Sequence, residues 1–351
     1  MKIIRSIYTL FACFMITASC ATTGSSTRTD KEVTCVQAKV DSGEIALSSE
    51  NSRYRIYDST GAKVELCVLI ESMKTADVAF LGEIHTDTVA HALEALILEM
   101  AWDERLSLSL EMFESDVQLT LDEYLGDLIN EEHFLESSRA WDNYDSDYRA
   151  LVEFSKKNNV QVIAANAPGR YVNMVSRLGS GSLSSLSDEA KKFLPPLPYP
   201  SASSEYEERF RQIMRYHQVE PQSLEKKQEP NIVDDDSTDV NSSLEESRAN
   251  EVYESYLKRA LEAQSLWDTS MAWSIATHLR ANPEGRVLHI NGSFHSDYSL
   301  GIPEHLEKYF PGLKTLTISV VPSQQFPEFN DSMKSLADFI IVTDVNNQQT
   351  D

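Results

Sequence analysis

Residues able to do acid–base or amide chemistry stand directly after short apolar runs. Glu83 and His85 follow "DVAFLG", Glu111 follows "LSLSL", Asn166 closes "VQVIAAN", and Asn291, Ser293 and His295 follow "RVLHI". His85 or His295 is suited to take a proton from water or an ester substrate. Together with Glu83 or Glu111 the two histidines also make a donor set for a divalent metal, which would acidify a bound water. No sequence-adjacent pair such as His-x-x-x-His fixes a ligand geometry here, so such a site must assemble in three dimensions. Taken singly, a carboxylate just past a strand serves equally as a helix cap, and Asn166 beside Pro168 as a turn residue. Several strand ends delivering such groups are harder to read as loop polarity, because Glu and His near a sheet edge must be hydrogen-bonded or solvated. One shared polar pocket is expected.

The elements that position these groups alternate. "DVAFLG", "LSLSLEMF", "VQVIAAN", "RVLHIN", "LKTLTISV" and "ADFIIVT" read as strands, and helical spacing separates the earlier ones, as at Val89, Leu93, Leu96, Ile97 and Met100 behind an Asp87 or Thr88 cap. "YRIYDSTGAKVE" reads as two short strands around a turn. The pattern predicts an α/β fold: a mostly parallel central sheet flanked by helices, with ligands beyond the carboxyl ends of the strands. Residues 51–178 and 282–345 are assigned to this domain. The interval 179–281 breaks the alternation and is expected to be a small inserted helical subdomain, with an acidic disordered loop at about 221–248. His289, inside "VLHI", is expected to be a core histidine. The spacing of Trp267, Asp268, Met271 and Trp273 suggests core packing with Asp268 reaching the pocket, and Trp141 is a candidate wall.

At the amino end, Lys2 and Arg5 precede an apolar stretch too short for a confident membrane span and then the small residues before Cys20. This is the build of a secretory signal over residues 1–19. "TASC" resembles the lipoprotein signals of bacteria, with Thr17 where Leu is usual, and implies lipidation of Cys20. Ala21, rather than Asp, then suggests an outer-membrane lipoprotein of a Gram-negative bacterium, with residues 20–50 as a tether. Loss of Lys2 and Arg5 with the signal takes the formal charge from −24 to −26. Nucleic acid is a poor partner for so acidic a chain. Cys13 leaves with the signal and Cys20 takes lipid, so Cys35 and Cys67 are the pair available for a disulfide in an oxidising envelope.

"FLGEIH", "LEMFE", "AANAP", "AQSLWDTSMAWSIA" and "NGSFHSDYSLGIP" occur in the order found in the ChaN-like haem-binding lipoproteins, which this chain resembles from about Tyr54 to Val342. These belong to a superfamily with Tiki-type proteases, PrgY-like proteins and erythromycin esterase relatives. The resemblance implies haem as cofactor and partner, a role in iron or haem acquisition or storage, homodimerisation, and an outer-membrane haem or iron receptor as a further partner. It also implies tyrosine ligation of the iron. Tyr216, beside His217 on "RFRQIMRYHQ", is the first candidate, with Arg209, Arg211 and Arg215 available to propionates; Tyr298 is the second. His85, His295, Asn166 and Asn291 are the remaining candidate cofactor contacts. The Tiki branch implies a hydrolase instead, with "GEIH" in its Gly-x-x-His motif and Glu83, His85, Glu111 and His295 as catalytic residues or metal ligands.

Overall fold

The computed structural model describes residues 53–219 and 239–345. The signal, Cys20, Cys35 and most of the acidic stretch lie outside them. Eight strands form one sheet: β1 (Tyr54–Asp58), β2 (Lys63–Val64), β3 (Val78–Glu83), β4 (Leu106–Glu114), β5 (Val162–Asn166), β6 (Arg286–Gly292), β7 (Thr315–Ser323) and β8 (Phe339–Asp344). Their order is β2-β1-β8-β7-β3-β6-β4-β5. Every pairing from β8 to β5 is parallel, and only the β1 edge is antiparallel. The parallel α/β architecture expected from the alternation is therefore present.

Among the described helices, α1 (Leu66–Thr75), α2 (Thr88–Ala101), α3 (Gln118–Leu125), α4 (Glu131–Ser138) and α5 (Arg149–Asn158) precede β5 or flank its neighbours. Between β5 and β6 come α6 (Gly169–Leu178), α7 (Asp188–Lys191), α8 (Ser204–Val219) and α9 (Asp239–Ala281), and α10 (Ile302–Tyr309) follows β6. β3 shows how the layers are set. Ala79 and Leu81 pack into the core shared with α1, α2 and α5, while Val78 and Phe80 pack against α9 and α10. A strand sends alternate side chains to opposite faces, so a run buried on both sides must be apolar throughout. Each such Leu or Phe contributes about 1.5–3 kcal/mol by leaving water.

α9 shows two differences from expectation. It begins at Asp239, so residues 239–248 of the expected acidic loop are helical; that stretch holds no Gly or Pro to interrupt a helix. Its far half packs Met271, Ala272, Ile275 and Ala276 onto the sheet. Part of the interval 179–281 therefore covers the α/β core, as the connection between parallel β5 and β6 requires. Cys67, in α1, is disulfide-bonded. No described helix is long and apolar enough to cross a membrane.

Candidate functional site

The chain leaves β3 for β4 across the place where β6 later inserts, so β3, β6 and β4 stand side by side at a reversal of strand order. Such a switch point opens a crevice beyond the carboxyl ends of the strands. Glu83 ends β3, Glu111 lies near the end of β4, and Gly292 ends β6. Two glycines let these ends close up. A Cβ on Gly82 would stand 2.8 Å from Ser293 Cα, and one on Gly292 would stand 3.1 Å from His85 Nε2. Both histidines follow their glycine by three residues, so the Gly82-to-His85 spacing recurs from Gly292 to His295.

Glu111, His295 and His85 meet in this crevice. Glu111 Oε2 accepts the Gly292 amide at 2.7 Å, and its Oε1 is 3.5 Å from His295 Nε2. The other ring nitrogen of His295 donates to Asp268 Oδ1 of α9 at 2.5 Å. Burial opposes charge on His295, but Glu111 and Asp268 together outweigh it and raise the imidazole to about 9. Burial likewise raises the Asp268 carboxyl, against the pull of His295. His85 keeps 43% of its side chain exposed, with Trp141 edge-on at 4.7 Å. Its Nδ1 donates to Glu83 Oε1 at 3.0 Å, which leaves Nε2 over Gly292 as the nitrogen that faces the crevice. Burial again works against the charged ring, and the hydrogen bond to Glu83 with the charges of Glu111 and Glu83 raises its pKa overall. Chemically, the crevice offers one accessible imidazole and a second, carboxylate-clamped one.

Glu83 is 2% exposed and faces inward. Besides His85 it takes the Tyr148 hydroxyl on Oε1 at 2.5 Å, and its Oε2 is 3.2 Å from His91 Nδ1. A five-residue π-turn, Tyr144–Tyr148, aims that hydroxyl. Asp87 caps α2 by accepting from the Val89 and Ala90 amides, which fixes the helix carrying His91 and Glu94. Neither Tyr148 nor Glu94 stands out in the sequence as a site residue. The signal lay in α2, where His91 and Glu94 are polar at three-residue spacing on a face that otherwise buries Val89, Ala90, Leu93 and Ile97.

The two amides make short-range hydrogen bonds at their strand ends. Asn166 Oδ1 accepts from the next backbone amide, Ala167 N, at 2.8 Å. Asn291 is fully buried and donates to Gly292 O and Ser296 Oγ, both at 2.9 Å, so it shapes the loop after β6. Glu114, from "EMFE", anchors the first amide of α6 and Arg139. His289 is the core histidine expected: it bonds Ser109 Oγ at 2.8 Å, and burial drives it down to about 3.

Tyr298 lies elsewhere, on the outer side of the same loop. It has φ 60° and is 43% exposed, with the Arg209 guanidinium 4.4 Å over its ring. A cavity of about 720 Å³ is lined there by Ser204, Glu205, Glu208, Arg209, Gln212, Tyr298 and Leu300. Arg209 also bonds the Asp297 carbonyl at 3.3 Å and stands over Phe294. The neighbouring Asp297 carboxyl is raised to about 6 by burial, although Ser319 and Arg209 pull the other way. The side chains of Tyr216 and His217, at the far end of α8, lie outside the described residues.

An open parallel sheet with a histidine–carboxylate crevice at its switch point defines an α/β protein of the doubly wound kind. The chain belongs to the family described as haem-binding uptake, Tiki superfamily, ChaN, whose model matches residues 69–306. Its fold is shared with ChaN of Campylobacter jejuni, a structure with cofacial haem binding, at 19% identity and a TM-score of 0.57 over 84% of this chain and 98% of that one. An erythromycin esterase mutant in an open conformation aligns at 13% identity and a TM-score of 0.37, over 83% of this chain and 82% of the esterase. No curated protein sequence matches the chain.

Proposed function

We propose that this chain binds haem on the outer face formed by α8 and the loop after β6. The observation that carries this reading is the cavity of about 720 Å³ in which the half-exposed Tyr298 lies under the Arg209 guanidinium. The donor set fits the group: a phenol for ferric iron, a guanidinium for a propionate, and room within the usual range for a cofactor. Tyr298 is the candidate ligand that lines the cavity. Tyr216, whose side chain lies outside the described residues, is the other candidate. When bound, haem would supply iron in a form to be held or handed on. The chain's own part is to ligate it, pair its propionates and shield one face. Cofacial haem binding by the Campylobacter protein supports a homodimer in which a second copy covers the open side.

In this reading the protein is an outer-membrane lipoprotein held by lipid on Cys20, acting in haem or iron acquisition or storage and handing haem to or from an outer-membrane receptor. Cys20→Ser should abolish palmitate labelling and release the chain from the membrane fraction. Haemin added to the purified chain should give a saturable high-spin ferric spectrum of tyrosinate type. A spectrum no different from free haemin removes the proposal.

The crevice supports a second reading, hydrolysis, through one observation: Asp268 and Glu111 clamp His295 from opposite nitrogens beside the accessible His85. His85 would take the proton from water while imidazolium His295 faces developing negative charge. His85→Ala should then abolish ester or peptide cleavage. Cleavage that survives this change, or that is absent from the wild-type chain with and without added zinc or manganese, removes the reading.

A further inference from the structure

We propose that Glu83, His91 and Glu94 form a binding site for one divalent transition-metal ion, buried beneath the crevice and separate from both faces described above. One ligand atom from each of the three residues lies within 4.8 Å of the others. His91 Nδ1 stands 3.2 Å from Glu83 Oε2 and 3.1 Å from Glu94 Oε2. Such separations match the edges of a coordination shell whose metal–ligand bonds are about 2.1 Å.

The hydrogen bonding around the cluster points the same way. Nε2 of His91 faces two acceptors, the His85 carbonyl at 3.2 Å and Asp147 Oδ2 at 3.6 Å, so it carries the ring proton. Without metal, Nδ1 also carries a proton between the Glu94 and Glu83 carboxylates; a divalent ion would take that proton's place and leave a neutral imidazole with its Nδ1 lone pair on the ion. Metal-bound histidines are commonly fixed through the other nitrogen in this manner. Glu83 is held from behind by donors: Tyr148 at 2.5 Å and His85 at 3.0 Å both reach Oε1, which leaves Oε2 for the cluster.

A separate observation is the unmet demand inside. Glu94 is 0% exposed, and its Oε1 has no hydrogen-bond partner among the described residues. Glu83 Oε2 is also sealed from solvent without a donor in hydrogen-bonding geometry. Sealed carboxylate oxygens are costly, and one ion placed between them would meet both. Two carboxylates and one neutral imidazole balance one divalent ion, with open positions for water. Carboxylate and imidazole donors without thiolate suit manganese, ferrous iron or zinc. The ion would brace Glu83, and through it the His85 ring that faces the crevice.

The test is equilibrium dialysis of the chelator-stripped full chain against Mn²⁺ and, separately, Zn²⁺, with bound metal measured by elemental analysis. One equivalent per chain is expected. Glu94→Gln, which keeps the side-chain volume, should weaken binding at least tenfold, while Glu111→Gln in the crevice should leave it unchanged. Saturating metal should also raise the Tm of the wild type by roughly 5–10 °C. If Glu94→Gln does not fold, that shift carries the test. A shift kept by Glu111→Gln supports the site, and a shift lost in Glu111→Gln moves the ion to the crevice and overturns it. No bound metal in the wild type, or undiminished binding by a folded Glu94→Gln chain, also overturns it.

Discussion

The crevice at the strand ends and the outer face by α8 use adjacent residues of one loop in opposite ways. His295 is 8% exposed and gripped by Asp268 and Glu111, whereas Tyr298, three residues on, is 43% exposed with an open cavity before it. The crevice is over-determined: removing any partner leaves a buried charge behind. On the outer face the loss of the Tyr298 phenol strands nothing inside, whereas Arg209 also holds the buried Asp297 carboxylate at 3.4 Å. Structure and ligand binding are thus separable on this loop, and substitutions should divide along that line.

The largest effect is expected at Asp268. Asp268→Ala deprives the buried His295 of its shorter hydrogen bond and should cost about 3–5 kcal/mol, read by chemical or thermal unfolding. A cost under about 1 kcal/mol would mean the pair is not held as described. Gly292→Ala comes next. Its new methyl would stand 3.1 Å from His85 Nε2, and displacing that ring should cost about 1–3 kcal/mol. A neutral Gly292→Ala would show the crevice to be looser than the outer face, which reverses the comparison.

The pH dependence of the metal-stripped chain follows from the same contrast. His295 and His91 are raised to about 9 in the folded protein. The folded state therefore holds protons that the unfolded state has released. This stability is complete below about 6.5, the ordinary histidine value, and is lost as pH rises through 9. His289 and His305 are lowered to about 3 by burial, so the unfolded state takes up protons first on acidification. Their contribution disappears as pH falls from about 6.5 towards 3. Tm should peak near pH 6–7 and decline on both sides; a Tm that rises from pH 7 to 9 would contradict the clamped imidazoles. At the small end, Tyr298→Phe should change stability by no more than about 0.5 kcal/mol in a thermal melt.

How much of this could be read from the chain depended on how locally each feature is encoded. The parallel sheet was legible because "DVAFLG", "LSLSLEMF" and "RVLHIN" are short, mostly apolar stretches set between helical patterns. The meeting of Glu83, His85, Glu111 and His295 was legible because a parallel sheet gathers its strand ends at one edge. What the strand-end rule could not supply was which end groups also bond back to the loop: Asn166 Oδ1 accepts a neighbouring amide, and Asn291 Nδ2 donates to Gly292 O and Ser296 Oγ. Nor could it supply partners from other elements. Tyr148 reaches Glu83 from a π-turn 65 residues away, and no periodicity encodes that. Asp268 was legible as a polar residue in an apolar helical pattern. Glu94 gave the same kind of signal in α2, where it sits among the buried positions of an apolar face. The start of α9 at Asp239 was hidden by composition, since a run of Asp, Ser and Glu reads as solvated loop whether or not it is helical.

The central claim is that haem is held by a tyrosine of the outer face and not by the histidines of the crevice. It is tested most directly by titrating haemin into the chain carrying both Tyr216→Phe and Tyr298→Phe and recording the visible spectrum. The account predicts loss of the tyrosinate-type ferric signature and at least tenfold weaker binding, with the fold intact. A spectrum and affinity equal to those of the wild type would contradict it and move the haem to His85 and His295.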